Sequence, residues 1–215
     1  MGDVAMTVPV LFAFAESNPK VKLTILTKKQ FAPLFRDVKT AIVILADFND
    51  LHKGVLGLYK LSRRIRNLNI DAVADLHNVL RTNILKYFLF GIKFNQINKG
   101  RSQKRELTEG INFSPLRSTP ERYADVFRSL GFSYELNTPS PRAPKKLANS
   151  ILNALGRFSS AVIGVAPFAA YASKTYPILK MDKVIYELQK KHIILLFGGG
   201  PEESQQLQKL ASKYT

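Results

Sequence analysis

AIVILADFNDLHKGVLGLYKLSRRIRNLNIDAVADLH, residues 41–77, is the stretch on which the fold turns. AIVILADF (41–48) is a continuous apolar run, as expected of a parallel strand covered on both faces. VLGLYKLSRRIRNL (55–68) repeats its apolar residues with helical period and carries a basic outer face. IDAVADLH (70–77) reads as the next strand. Strand, helix and strand at this spacing make a βαβ unit, and hence a parallel sheet.

The alternation runs outward in both directions. Upstream, VKLTILT (21–27) is β-rich and KKQFAPLF (28–35) is a short helix broken at Pro33. Asp3 to Glu16 reads as a helix with Asp3 near its N-cap, apolar nearly all round and therefore buried. Downstream, NVLRTNILKYFLFG (78–91) is a helix closed by Gly91, and KFNQINKG (93–100) is a short strand. RSQKRELTEGINFSPLRS (101–118) is polar, basic and aperiodic, which predicts a loop. TPERYADVFRSLGF (119–132) is a helix with Thr119 as N-cap, Pro120 at its first position and Gly131 at its end.

NTPSPRAPKK (137–146) has three prolines and no apolar pattern, which marks a linker between domains at 1–136 and 147–215. The second domain alternates again. SAVIGVAPF (160–168) is a strand and its exit, MDKVIYELQKK (181–191) a helix, and HIILLF (192–197) a strand. GGG (198–200) is a turn, and PEESQQLQKLASK (201–213) a helix. Two strands do not make a stable α/β domain, so this one reads as incomplete.

Composition limits the function. With 46% apolar residues among 215, the chain can bury a core. No cysteine is present, so disulfides and thiolate metal sites are excluded. The formal net charge of +16 favours anionic partners: nucleic acid, phosphorylated lipid or nucleotide-bearing substrates. Residues 81–146 hold 13 Lys/Arg against 5 Asp/Glu, half of the surplus. No apolar run reaches the roughly 18 residues of a membrane span, and the opening makes a poor secretory signal. A soluble protein that touches a surface is the expectation.

Candidate sites fall where strands exit into helices, since ligands of open parallel sheets sit beyond the carboxyl ends of the strands. Asp3, at a helix start, stays ionised and can accept a proton or hold a cation; equally it can be a plain N-cap. In APFAAYASKTYP (166–177), Lys174 on a small-residue loop can neutralise a diphosphate, or be an ordinary solvated lysine. GGGPEES (198–204) offers backbone N–H groups to a phosphate or ribose, or is a glycine turn with capping carboxylates. It has neither GxGxxG spacing nor a Walker lysine. In DLHNVLRTN (75–83), His77, Asn78 and Arg81 lie toward the cleft side. His77 lacks a metal partner at suitable spacing, so a structural hydrogen-bonding role is expected. KGRSQKR (99–105) is basic without an RNA-binding aromatic motif, so nucleic acid is not the expected partner.

Together these pieces resemble the ADP-heptose:lipopolysaccharide heptosyltransferases, glycosyltransferase family 9. MGDVAMTVPVL (1–11) is similar to the family's S-x-x-GD turn and helix with T-x-P; SKTYP (173–177) resembles its K-x-[WY]-P loop, and GGPEE (199–203) its G-G-P-x-E turn. ERYADVFRSLGF (121–132) resembles the family helix before the linker.

The resemblance implies the α/β GT-B architecture: two Rossmann-like domains with parallel sheets and an active site between them. It also implies an inverting, metal-independent transfer with no cofactor beyond an ADP-sugar donor. Asp3 takes the place of the catalytic base, Lys174 that of the lysine on the donor phosphates, and Glu203 that of the glutamate on the donor ribose, beside Gly199 and Gly200. Ala169 and Ala170 stand where some members have Thr. Arg101, Lys104 and Arg105 are candidates to hold an anionic, lipid-linked saccharide acceptor. The expected setting is cytoplasmic, with peripheral contact at the inner membrane.

Relative to the family, a strand before Met1 is expected to be lacking, a central one with neighbours on both sides. A D-[ST]-[GA]-x-x-H segment beyond Thr215 is lacking as well. A truncated reading frame is therefore expected. The alternatives are a non-catalytic basic α/β protein that binds anions or nucleic acid, and an inactive remnant.

Overall fold

The computed structural model describes residues 1–38, 40–136, 149–155, 160–169 and 171–214. The linker expected at 137–146 lies outside the described residues, as does Ala170. The chain divides into two compact units, Met1–Arg142 and Ala143–Thr215.

The first unit runs α1 (Gly2–Ser17), β1 (Leu23–Thr27), a 3-10 turn (Lys29–Phe35), β2 (Ala41–Leu45), α2 (Gly54–Arg66), β3 (Ala72–Asp75), α3 (Leu80–Phe88), β4 (Lys93–Gln96), α4 (Arg101–Thr108) and α5 (Thr119–Ser129). The strand, helix and strand read over 41–77 are present as β2, α2 and β3, and every strand pair is parallel, but β2 and β3 belong to different pairs, so the expected βαβ pairing is not made. The four strands form two separate pairs, β1–β2 and β3–β4, rather than one continuous sheet. Among the described residues no backbone hydrogen bond joins β1 to β3.

What joins the two pairs is a hydrophobic cluster. Val10, Leu11 and Phe14 of α1 meet Tyr123, Ala124, Val126 and Phe127 of α5 in it, with Leu23, Ile25 and Val43 on one side and Ala74 and Ile97 on the other. Phe14 is its centre. Its ring lies 4.5 Å from Phe127, 5.1 Å from Phe132 and 5.5 Å from Tyr134. Tilted and edge-on pairs of this kind add about 0.5–1.5 kcal/mol each beyond area burial.

In the first unit the sequence reading is corrected at several places. The 3-10 turn Lys29–Phe35 runs through Pro33 and is not broken there. AIVIL is covered unevenly: Ala41 and Val43 pack on the cluster, and on the opposite face Ile44 is buried while Ile42 is 62% exposed. Residues 101–108 are the helix α4, not a loop. RSQKRELT has one apolar residue and so gives no periodic signal, yet it consists mostly of good helix formers. In α5 the N-cap is Ser118, whose hydroxyl accepts from the Glu121 N–H at 3.4 Å, and Pro120 is the second helical residue. In α1 the N-cap is Met1, so Asp3 lies inside the first turn.

Gly100 shows how α4 is set. It adopts φ +60°, and a Cβ there would meet the Arg122 guanidinium at 2.3 Å. Arg122, buried on α5, donates to the carbonyls of Arg117 at 3.0 Å and Asn98 at 3.3 Å and to Gln103 Oε1 at 2.9 Å. A buried cation satisfied by neutral oxygens on both sides of the 99–117 segment pins that segment to α5.

The second unit contains α6 (Asn149–Leu155), β5 (Val162–Val165), a 3-10 turn (Ala172–Lys174), α7 (Ile178–Gln189), β6 (Ile193–Leu196) and α8 (Pro201–Ala211). α7 begins three residues earlier than the sequence pattern suggested. β5 and β6 pair in parallel. The chain after α8 is tied to α7 through Asp182, which accepts from the Lys213 ammonium at 2.5 Å and from the Tyr214 hydroxyl.

Two outcomes follow from this packing. Phe14→Ala is expected to cost about 3–5 kcal/mol; denaturant unfolding would measure it, with amides of both strand pairs losing exchange protection together. The second concerns pH. The Lys213 ammonium, then the Tyr214 hydroxyl, hold the Asp182 carboxyl below its ordinary value. A depressed carboxyl stabilises the fold above its unfolded value of about 4, and loses that contribution as pH falls through the folded value. Asp182→Asn should therefore lower the melting temperature at pH 7 and match wild type near pH 2.

Candidate functional site

The second unit supplies the clearest juxtaposition. β5 and β6 are in parallel register with Val165 opposite Leu196, and the Phe197 N–H donates to the Val165 carbonyl at 2.8 Å. The loop after β5, which carries Lys174, and the turn after β6, which carries Gly199, Gly200 and Glu203, therefore leave the same carboxyl edge. Lys174 ends a 3-10 turn and is exposed, with its ammonium 5.5 Å from the centre of the Tyr171 ring. The Thr175 hydroxyl bonds back to the Tyr171 carbonyl at 3.1 Å, which closes the turn.

Gly200 is the N-cap of α8 at φ +95°, a conformation that favours glycine. Glu203 Oε2 accepts the Gly199 N–H at 2.6 Å. This is the capping arrangement, a carboxylate in the first helical turn reaching back to the chain before the helix. It also fixes the carboxylate over the turn, where its second oxygen has no hydrogen-bond partner among the described residues.

In the first unit, Asp3 is exposed in the first turn of α1. Its carboxylate makes no hydrogen bond or ion pair among the described residues, so the plain N-cap reading fails. Its backbone carbonyl accepts from the Tyr123 hydroxyl at 3.3 Å, which ties the helix start to α5. Burial, and then the nearby Asp3 carboxylate, push the Tyr123 phenol above its ordinary value and keep it a donor.

The loop after β3 is organised by Asp75, a residue the sequence did not single out. Asp75 is buried, and its Oδ1 accepts the N–H groups of His77 and Asn78, both at 2.9 Å. Its Oδ2 accepts from Gln96 Nε2 at 3.0 Å; that amide also donates to Asn83 Oδ1 at 2.6 Å. Asn78 sits at φ +43° and donates to the Ile97 carbonyl at 2.9 Å. The structural role expected of His77 thus belongs to Asp75; His77 takes part through its backbone, and its ring is exposed. The Arg81 guanidinium stacks on Phe48 at 4.0 Å.

Because 101–108 is helical, Arg101, Lys104 and Arg105 share one face at spacings of three and four. All three are exposed. Arg105 is held by Glu109 at 2.7 Å, which leaves Arg101 and Lys104 as the cations not engaged by carboxylates. No group of three or more His, Cys, Asp or Glu side chains among the described residues is placed to hold a metal. Removing the organising carboxylate should be felt: Asp75→Ala leaves the His77 and Asn78 N–H groups unpartnered, at an expected cost of about 2–3 kcal/mol, with the 76–79 amides exchanging faster than in wild type.

No curated protein sequence matches the chain. Solved structures resemble it in fold, three of them as follows. A glycosyl transferase family 9 protein from Veillonella parvula superposes with a TM-score of 0.77 at 18% identity, over 100% of this chain and 64% of that one. E. coli ADP-heptose lps heptosyltransferase II gives 0.68 at 15%, over 98% of this chain and 65% of that one. E. coli heptosyltransferase WaaC, solved with ADP, gives 0.65 at 20%, over 100% and 69%. The chain thus spans between 64% and 69% of the length of these structures. Residues 58–215 match the family profile, a span that includes SKTYP and GGPEE but not Asp3. Since that span is well over half of the sequence, the chain belongs to glycosyltransferase family 9 (heptosyltransferase).

Proposed function

We propose that the chain forms the acceptor-side unit and part of the donor-side unit of an inverting glycosyltransferase. The enzyme moves a heptose, or a related sugar, from an ADP-sugar to a lipopolysaccharide core acceptor. The observation that carries this reading is the common carboxyl edge of β5 and β6, from which Lys174 and the Gly199–Glu203 turn both emerge. Family membership and the ADP named for WaaC support the choice of donor.

Each group then has a task set by its chemistry. The Asp3 carboxylate takes the proton of an acceptor hydroxyl as that oxygen attacks the anomeric carbon. The bond from that carbon to the diphosphate breaks, and ADP leaves with inversion. The Lys174 ammonium offsets the charge that builds on the leaving diphosphate. The free oxygen of Glu203 accepts from a ribose hydroxyl, and the N–H groups at the start of α8 face the nucleotide. No cofactor beyond the donor is proposed, since the lysine provides the positive charge. The α4 face with Arg101 and Lys104, assisted by Arg105, holds phosphates or acidic sugars of the lipid-linked acceptor. Such an acceptor places the protein in the cytoplasm, in peripheral contact with the inner membrane.

The two halves are tested separately. Lys174→Ala is expected to weaken ADP binding at least tenfold by calorimetry. Asp3→Asn is expected to leave ADP affinity unchanged and to lower turnover by roughly 10²–10⁴-fold. Undiminished turnover in Asp3→Asn overturns its role as base. Absence of ADP binding by the wild type, together with salt-sensitive retention on nucleic acid, favours the non-catalytic reading instead.

A further inference from the structure

An open groove of about 1070 Å³ lies between α2 and α3 and continues along residues 88–94. Among the described residues no acidic one lines it. On one wall, α2 presents Tyr59, Arg63 and Arg66 to the groove, and the exposed Leu56 and Lys60 continue the same helix face beyond it. On the other, α3 presents Lys86 and Tyr87, with Phe90 just past its end. Tyr87 and Phe90 are 78% and 79% exposed, far more than rings in a settled surface need to be. Their immediate surroundings are cationic: the Arg66 guanidinium lies 5.2 Å from the Phe90 ring and is anchored on the Phe88 and Phe90 carbonyls. Lys60 and Arg63 have no hydrogen-bond or ion-pair partner among the described residues.

The charge pattern around this face is one-sided. Residues 51–100, which stop short of α4, contain nine Lys/Arg and two acids, Asp71 and Asp75, and Asp75 is buried in the loop network described above. A surface that only needed solubility would mix both signs and keep its rings inside. Exposed aromatic rings interleaved with unpaired cations suit a boundary where phosphates and hydrocarbon meet. We propose that the α2–α3 face docks on an anionic lipid bilayer, with Tyr87 and Phe90 entering the headgroup boundary and Lys60, Arg63 and Lys86 against lipid phosphates. The inference rests on the peripheral-contact reading above and assigns that contact to a face other than α4.

The chain contains no tryptophan, which permits a direct test on the whole protein. Phe90→Trp places a single reporter on the face. Phe113→Trp places one at the exposed Phe113, in the segment after α4. With vesicles containing phosphatidylglycerol, the residue-90 reporter is expected to shift to the blue and to be quenched by brominated lipid, whereas the residue-113 reporter stays unchanged. Vesicles of phosphatidylcholine alone should give neither response. In sedimentation with the same vesicles, Lys60→Gln with Arg63→Gln should weaken binding about fivefold per charge removed. Tyr87→Ser with Phe90→Ser should weaken it about tenfold or more, and Arg101→Gln with Lys104→Gln should have little effect.

Binding that is lost in the α4 variant and kept in the α2–α3 variants overturns the assigned face while leaving peripheral contact intact. Failure of the wild type to bind anionic vesicles at physiological salt overturns both. Retention of an RNA oligonucleotide through Lys60 and Arg63, without vesicle binding, reassigns the face to nucleic acid and also overturns the proposal.

Discussion

The contact of Phe14 with the rings of Phe127 on α5 and of Phe132 and Tyr134 just after it is the constraint on which the first unit depends. Its two strand pairs share no ladder, so main-chain hydrogen bonding cannot hold them in register with one another. Apolar packing from α1 and α5 does it instead, with residues of β1, β2 and β3 in contact with one cluster. The same packing fixes where α1 begins, because the Tyr123 hydroxyl on α5 binds the Asp3 carbonyl. The position of the proposed base is thus a by-product of the core.

Two buried charges shape the polar surface around that core. Arg122 holds the segment that becomes α4, and Asp75 holds the loop between β3 and α3. Neither is paired with an opposite charge; each is surrounded by neutral donors or acceptors that satisfy it, which is the condition for burying an ion without a large penalty. The consequence is directional. With Arg122 consumed internally and Arg105 tied to Glu109, the remaining α4 cations face outward, as do Lys60 and Arg63 on α2.

Much of this was legible in the sequence, and the exceptions share a physical cause. AIVIL and IILL announce themselves as strands because apolar β-formers run without interruption, and the glycine before Pro201 announces α8. The family motifs around Lys174 and Glu203 are short and contiguous, so they too can be read along the chain. Helix α4 was missed because hydrophobic periodicity is the signal for helices, and RSQKRELT is anchored by polar contacts. The Asp75 network escaped because Gln96 lies 21 residues away, and no local pattern links a carboxylate to an amide at that distance. The N-cap of α1 was misplaced by two residues: aspartate is a favoured cap, but the helix begins at Gly2 with Met1 before it. The exposure of Ile42 could not be read at all, since an apolar run says that a strand can be covered, not that it is.

The split of the first unit into two parallel pairs also sets how it responds to cold. A continuous sheet is held by hydrogen bonds, whereas the junction here is apolar, and apolar association fades as water is cooled. Each pair should survive chilling with its own ladder intact while the seam between them slackens. Cooling therefore weakens the seam before it weakens either ladder.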